Sequence, residues 1–204
     1  MKKFYYFGIA SAVIYIFAVI LGGLIWPGYS HLAHAISALT MATSPNQIIM
    51  QPLFWAYNLL LIAFSIGYYR WGNRKFIKLS AAFLFLVAFS GIVMLIFPQD
   101  ILGTPLTTHG LIHLIFAGVA ALSTLEAMFL CAIGFWKNNE YKNLSRISLV
   151  LGVVVLASGP FTAIAPTALP QFFGLSERIT IGSFIVWLFL ASYIISKQEK
   201  GTIK

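Results

Sequence analysis

His109 and His113 stand four residues apart at the start of an apolar stretch. On a helix that spacing puts both rings on one face, one turn apart, with nitrogens able to meet at one point. Such a pair is two-thirds of a zinc-hydrolase site, in which three protein ligands leave a fourth position for an activated water. His34 or His31 can supply the third nitrogen. Asp100, nine residues before His109, can ligate, act as a base or orient a ring. Zinc is the metal this donor set suits, because the one cysteine, Cys131, offers no thiolate set. The same four histidines have a structural use: bonding one another, Asp100 and loop carbonyls at a membrane surface. Haem ligation would need one of the loop histidines as a partner, since a single apolar stretch carries the other two.

Further polar residues sit where they are costly or exposed. Glu126 falls near the middle of the stretch that His109 opens, where a charged side chain costs about 2.5–3.5 kcal/mol on insertion scales. It can drive transport, or bond to Ser123, Thr124, Asn58, Ser90 or Ser158. Asn58 is itself an amide inside an apolar run. Glu177 and Arg178 are adjacent, and neighbours in sequence do not face each other on a helix. Each therefore needs its own partner, Arg178 pairing with Asp100 or with an anionic substrate or headgroup. Ser176 before them reads as a helix N-cap. Ser158-Gly159-Pro160 interrupts another apolar run, as a kink or as the discontinuous helix of a transporter.

The elements that carry these residues follow from composition. Of 204 residues, 60% are hydrophobic and 9% charged. Soluble domains carry about 25% charged residues, so a soluble enzyme is excluded. The net charge of +8 does not make a nucleic-acid binder, because the basic residues lie in short runs between apolar blocks. A bilayer core needs about 20 apolar residues in helical form. Six stretches qualify: 7–26, 52–69, 77–97, 110–136, 146–168 and 179–196. The first is too long for the apolar part of a signal peptide and reads as an uncleaved helix.

Twelve of the 13 Lys and Arg fall before the first span, in or at the edges of the second and fourth connections, and after the sixth. Among them are Lys2, Arg74, Lys137 and Lys204. An even span count puts all of these on one side, and the excess of basic residues makes that side cytoplasmic, with both termini inside. Arg178, all four histidines, Asp100 and Glu177 then lie outside. The outer loop 27–51 is long enough to fold over the bundle. From Ser30 to Met41, Leu32, Ile36 and Leu39 share one face of a short helix.

Several strings resemble one known family. They are Trp26-Pro27-Gly28-Tyr29, Ile36-Ser37-Ala38-Leu39, Pro45 and Pro52, Phe97-Pro98-Gln99-Asp100 with His109 and His113, and Gly174-Leu175-Ser176-Glu177-Arg178. The chain looks like the bacterial and archaeal six-span family known as domain of unknown function 998. The resemblance covers nearly the whole chain and implies a six-helix membrane fold with a polar outer mouth. It implies no activity. A looser likeness links the residue types Ser37, His34, Asp100, His109 and His113 to the ceramidase and adiponectin-receptor hydrolases, which hold zinc by three histidines beside an Asp and a Ser. There the HxxxH lies in the last spans rather than the fourth, so this is an analogy of chemistry alone.

The expectation is an all-α polytopic membrane protein: one six-helix bundle over residues 1–204 in the cell membrane. Its partners would be membrane lipids and a lipid or small-molecule ligand, with no nucleic acid and an oligomeric state left open. Three functions stay open. The first is a metal hydrolase acting on a lipid or amide, with His109, His113 and one of His31 or His34 on zinc, and Asp100, Ser37 and Arg178 around the substrate. The second is a non-catalytic sensor or accessory protein that binds a lipid or small ligand at the same mouth. The third is a small transporter built on Glu126 and a broken fifth helix.

Overall fold

A computed structural model describes residues 3–201, all of its regular structure helical. Lys2 and Lys204, two of the residues that orient the chain, lie outside the described residues, as does the side chain of Lys200. Six helices follow in order: α1 (Tyr5–Ile25), α2 (Gln47–Trp71), α3 (Lys75–Ile96), α4 (Thr108–Phe135), α5 (Lys142–Ala168) and α6 (Phe173–Gly201). All six are long and apolar enough to cross a bilayer. They are longer than the apolar runs because polar end residues such as Gln47, Lys75 and Lys142 continue the backbone ladder into the interface. Each helix packs on its chain neighbours, and α6 closes onto α1, so the bundle is a ring.

Within lipid, water does not drive helices together, so close packing and interhelical hydrogen bonds must hold the ring. Hydroxyls on one helix reach backbone carbonyls of the next: Ser11 to Tyr57 (3.0 Å), Ser80 to Ala127 (2.7 Å) and Ser145 to Ala132 (2.7 Å). Trp187 Nε1 donates to Ser148 Oγ at 2.8 Å. Leu61, Leu84, Met128, Trp187 and Leu188 are wholly buried between the helices. One end of the ring is basic and aromatic. There Phe4, Tyr68, Phe135 and Tyr141 pack around Trp71, whose indole donates to Glu199 Oε1 at 2.7 Å. The other end carries the four histidines.

Three expectations about local structure need correction. The stretch from Ser30 to Met41 is not a helix; it holds only a 3-10 turn, Ser37–Thr40. Ser176 is not an N-cap, since α6 begins at Phe173 and the Ser176 hydroxyl donates back to the Phe173 carbonyl at 2.7 Å. α5 is not broken at Pro160: it runs helical through both Pro160 and Pro166. Thr162 Oγ1 bonds the Ser158 carbonyl at 3.1 Å, and Thr180 of α6 bonds both Thr162 and the Ser158 hydroxyl, which ties this proline-bearing segment to α6.

Candidate functional site: a latched mouth at the histidine end

The first N–H groups of a helix have no intrahelical acceptor. In α6 two of them are met by the α1–α2 loop: Gly174 N donates to the Ala33 carbonyl (3.3 Å) and Leu175 N to the Leu32 carbonyl (2.9 Å). Glycine is required at 174, because a Cβ there would strike the His34 and His31 carbonyls and the Arg178 guanidinium. The Glu177 carboxylate completes the junction by accepting the Ile36 N–H. This explains the missing loop helix. Its continuation would need Ile36 N–H on Leu32 O and Ser37 N–H on Ala33 O, and α6 occupies Ile36 N–H and both carbonyls.

Around this junction the polar side chains form one network. Ser37 Oγ lies 2.8 Å from Gln99 Oε1 and 3.3 Å from Glu177 Oε1, and its single proton favours the nearer acceptor. Gln99 Nε2 reaches Met41 Sδ at 3.2 Å, so the α3–α4 loop is tied in as well. Arg178 donates through Nη1 to the His34 (2.9 Å) and Gly174 (2.8 Å) carbonyls, and through Nη2 to Tyr29 Oη (2.7 Å). The guanidinium also sits 5.6 Å from the Tyr29 ring centroid, in cation–π range. Burial pushes the Tyr29 phenol above its ordinary value, against the pull of Arg178. It stays protonated and donates to the Ala35 carbonyl at 2.8 Å. Among the described residues Arg178 meets carbonyls and a phenol but no carboxylate, and its Nε–H is buried without an acceptor.

His31 and His34 border this cation. The Nδ1 of His34 accepts from Ser30 N at 2.8 Å, which places the proton of the neutral ring on Nε2. Its exposed ring stacks on Tyr29 and lies parallel to Trp26. His31, also exposed, meets the Tyr29 ring edge-on, 5.2 Å between centroids. Burial, with Arg178 second, lowers the basicity of His31.

The other two histidines work elsewhere. Pro98 has no N–H, so the Met94 carbonyl one turn before it loses its helical donor. His113, 6% exposed, stands there: Nδ1 lies 3.0 Å from the Phe97 carbonyl, and the Met94 carbonyl is near enough to act on the ring. It closes the end of α3. His109 is exposed and lies edge-on to Phe97. Asp100 accepts from Thr107 N (2.7 Å) and Thr107 Oγ1 (2.8 Å), while Thr107 Oγ1 caps α4 by accepting from Gly110 N. The Thr107 amide, then its hydroxyl, holds the Asp100 carboxyl below its ordinary value. Asp100 therefore does not pair with Arg178. Among the described residues no group of three or more His, Cys, Asp or Glu is arranged to hold a metal.

Glu126 is exposed on the outer surface of α4, and none of Ser123, Thr124, Asn58, Ser90 or Ser158 bonds it. Asn58 is buried between α2 and α3; its Nδ2 donates to the Phe54 carbonyl at 2.8 Å and its Oδ1 lies against Gly91. Two residues that shape the site were not singled out for it in the sequence: Tyr29 and Gln99. They lie inside the Trp26–Tyr29 and Phe97–Asp100 strings, and that adjacency was the available signal.

The ring of six apolar helices and its latched polar end define a polytopic α-helical membrane protein. Comparison with known families narrows this: the chain belongs to the family described as protein of unknown function (DUF998), which matches residues 9–193. No curated protein and no solved structure matches the chain.

Proposed function

We propose that this protein is a non-catalytic membrane sensor or accessory protein whose latched mouth binds an anionic group, on a lipid or a small solute. One observation carries the reading. Arg178 is held by carbonyls and Tyr29, with no carboxylate hydrogen-bonded to it among the described residues, between two exposed histidines and an aromatic floor. Adjacent Glu177 spends its carboxylate on the Ile36 N–H and the Ser37 hydroxyl and makes no hydrogen bond to Arg178. A preorganised arginine flanked by imidazoles suits phosphate or carboxylate recognition. The zinc-hydrolase reading has less support, because no third ligand joins His109 and His113 among the described residues.

The basic excess supports the reading that the opposite end of the ring faces the cytoplasm and this mouth the outside of the cell membrane. Labelling of single cysteines at Asn138 and Asn46, in a Cys131→Ser background, checks that orientation. Asn46 should react with an impermeant reagent in intact cells and Asn138 should not. Binding is tested by tryptophan fluorescence of detergent-purified protein titrated with dihexanoyl-phosphatidylglycerol, dihexanoyl-phosphatidylcholine and inorganic phosphate. Saturable binding of the phosphatidylglycerol or of phosphate, but not of the phosphatidylcholine, is expected. His31→Ala/His34→Ala should weaken the binding of phosphate about tenfold, and Arg178→Gln should abolish it. Glu177→Gln, which keeps the cation, should retain it. Unchanged binding in Arg178→Gln would refute the reading.

A further inference from the structure

At the basic end of the ring, far from the mouth, a cavity of about 540 Å³ opens between α3, α4 and α5. Its rim holds Arg74 and Lys137, its walls are Phe129, Ile133 and Leu149, and Trp136 stands beside it. No carboxylate lines it among the described residues. We propose that this groove seats one anionic phospholipid, with the phosphate on Arg74 and Lys137 and an acyl chain along Phe129, Ile133 and Leu149.

The cation is fixed in place by the way α4 ends. Its last turn tightens, with Trp136 N on the Ile133 carbonyl and Asn138 N on the Phe135 carbonyl. The Gly134 carbonyl thereby loses its usual donor. Arg74 Nη1 donates to it at 2.9 Å. That is its one hydrogen bond among the described residues, and a guanidinium has five N–H donors. Gly134 also lets α3 come close, since a Cβ there would strike Ile77. Ile133 of α4 (55% exposed) and Leu149 of α5 (38% exposed) stay uncovered.

The occupant follows from where the groove faces. Its apolar walls belong to the outer surface of membrane-spanning helices, so hydrocarbon reaches them. Its cations and Trp136 sit at helix ends, at headgroup level. A ligand that satisfies both must carry an anion and an alkyl chain together, and basic pockets between helices at this level suit acidic headgroups. A soluble phosphate compound would leave the walls unmatched. A zwitterionic lipid would bring its own cation to Arg74 and Lys137.

Native mass spectrometry of the full chain carrying Arg178→Gln, which silences the mouth, released from nanodiscs of equal phosphatidylglycerol and phosphatidylcholine, tests this. One phosphatidylglycerol should persist at activation energies that strip the phosphatidylcholine. Arg74→Gln/Lys137→Gln should reduce that adduct at least tenfold. Lys75→Gln/Lys142→Gln, an equal charge change outside the groove, should leave it. Because Arg74 also caps α4, Ile133→Trp provides a second test: it fills the apolar wall, keeps both cations, and should remove the adduct too. The proposal is overturned by an adduct that survives Ile133→Trp, by loss that is equal in the two double variants, or by equal retention of both lipids.

Discussion

Replacing Glu177 by alanine removes the one side chain that holds the Ile36 amide, and its effect can be sized from its contacts. Ile36 is 5% exposed, so its N–H loses an acceptor where water does not readily replace it. An amide bonded to a charged acceptor contributes about 1.5–3 kcal/mol. The Ser37 hydroxyl adds little, because Gln99 remains its nearer acceptor. Opening of the loop from α6 should therefore become about 10- to 150-fold more frequent. The assay is hydrogen exchange of the purified protein, read at the Gly174 and Leu175 amides, which face the Ala33 and Leu32 carbonyls. They should exchange faster by that factor, while peptides covering the Ser145–Ala132 contact at the basic end stay unchanged. Glu177→Gln keeps an acceptor oxygen and should accelerate exchange tenfold or less. Unchanged exchange at Gly174 and Leu175 in Glu177→Ala, or an equal rise at the basic end, would refute a local latch.

Thr107→Val should lower thermal stability by about 1 kcal/mol, the usual scale for loss of an N-cap, and should speed exchange in the first turn of α4. A thermal-melt series in both proteins checks this. Asp100 has a depressed carboxyl, so its contribution is present above the ordinary carboxyl value of about 3.9 and is lost as pH falls through the lower folded value. The stability difference between the wild type and Asp100→Asn should be flat near neutrality and close only in acid; a difference that closes near pH 6–7 would implicate a histidine instead. Glu126→Leu removes a carboxyl from the outer face of a spanning helix and should favour insertion of α4 by about 2.5–3.5 kcal/mol in a translocon assay. If Leu lowers the stability of the assembled protein, Glu126 has a partner outside the chain.

The spans were legible because the bilayer imposes a length that few other structures satisfy, and apolar runs of about 20 residues with charged flanks state it directly. Which face of each span points inward was not. α4 is apolar nearly all round, so Glu126 carried no periodic pattern to tell the bundle from the lipid. At the mouth, local rules gave half of each answer. The HxxxH spacing placed His109 and His113 on one face. Their tasks were decided by the end of α3, where Pro98 withholds an N–H and leaves carbonyls for His113. The adjacency of Glu177 and Arg178 said that they diverge, which they do: one goes to the Ile36 amide, the other to Tyr29 and the His34 carbonyl. Those partners lie about 140 residues earlier in the chain, in a loop whose own pattern favoured a helix. The helix fails only because α6 claims its donors and acceptors. A segment whose backbone bonds are completed by another helix can carry the periodicity of a helix without forming one. Its conformation is a property of the pair, and reading it requires knowing first that α6 closes the ring on α1.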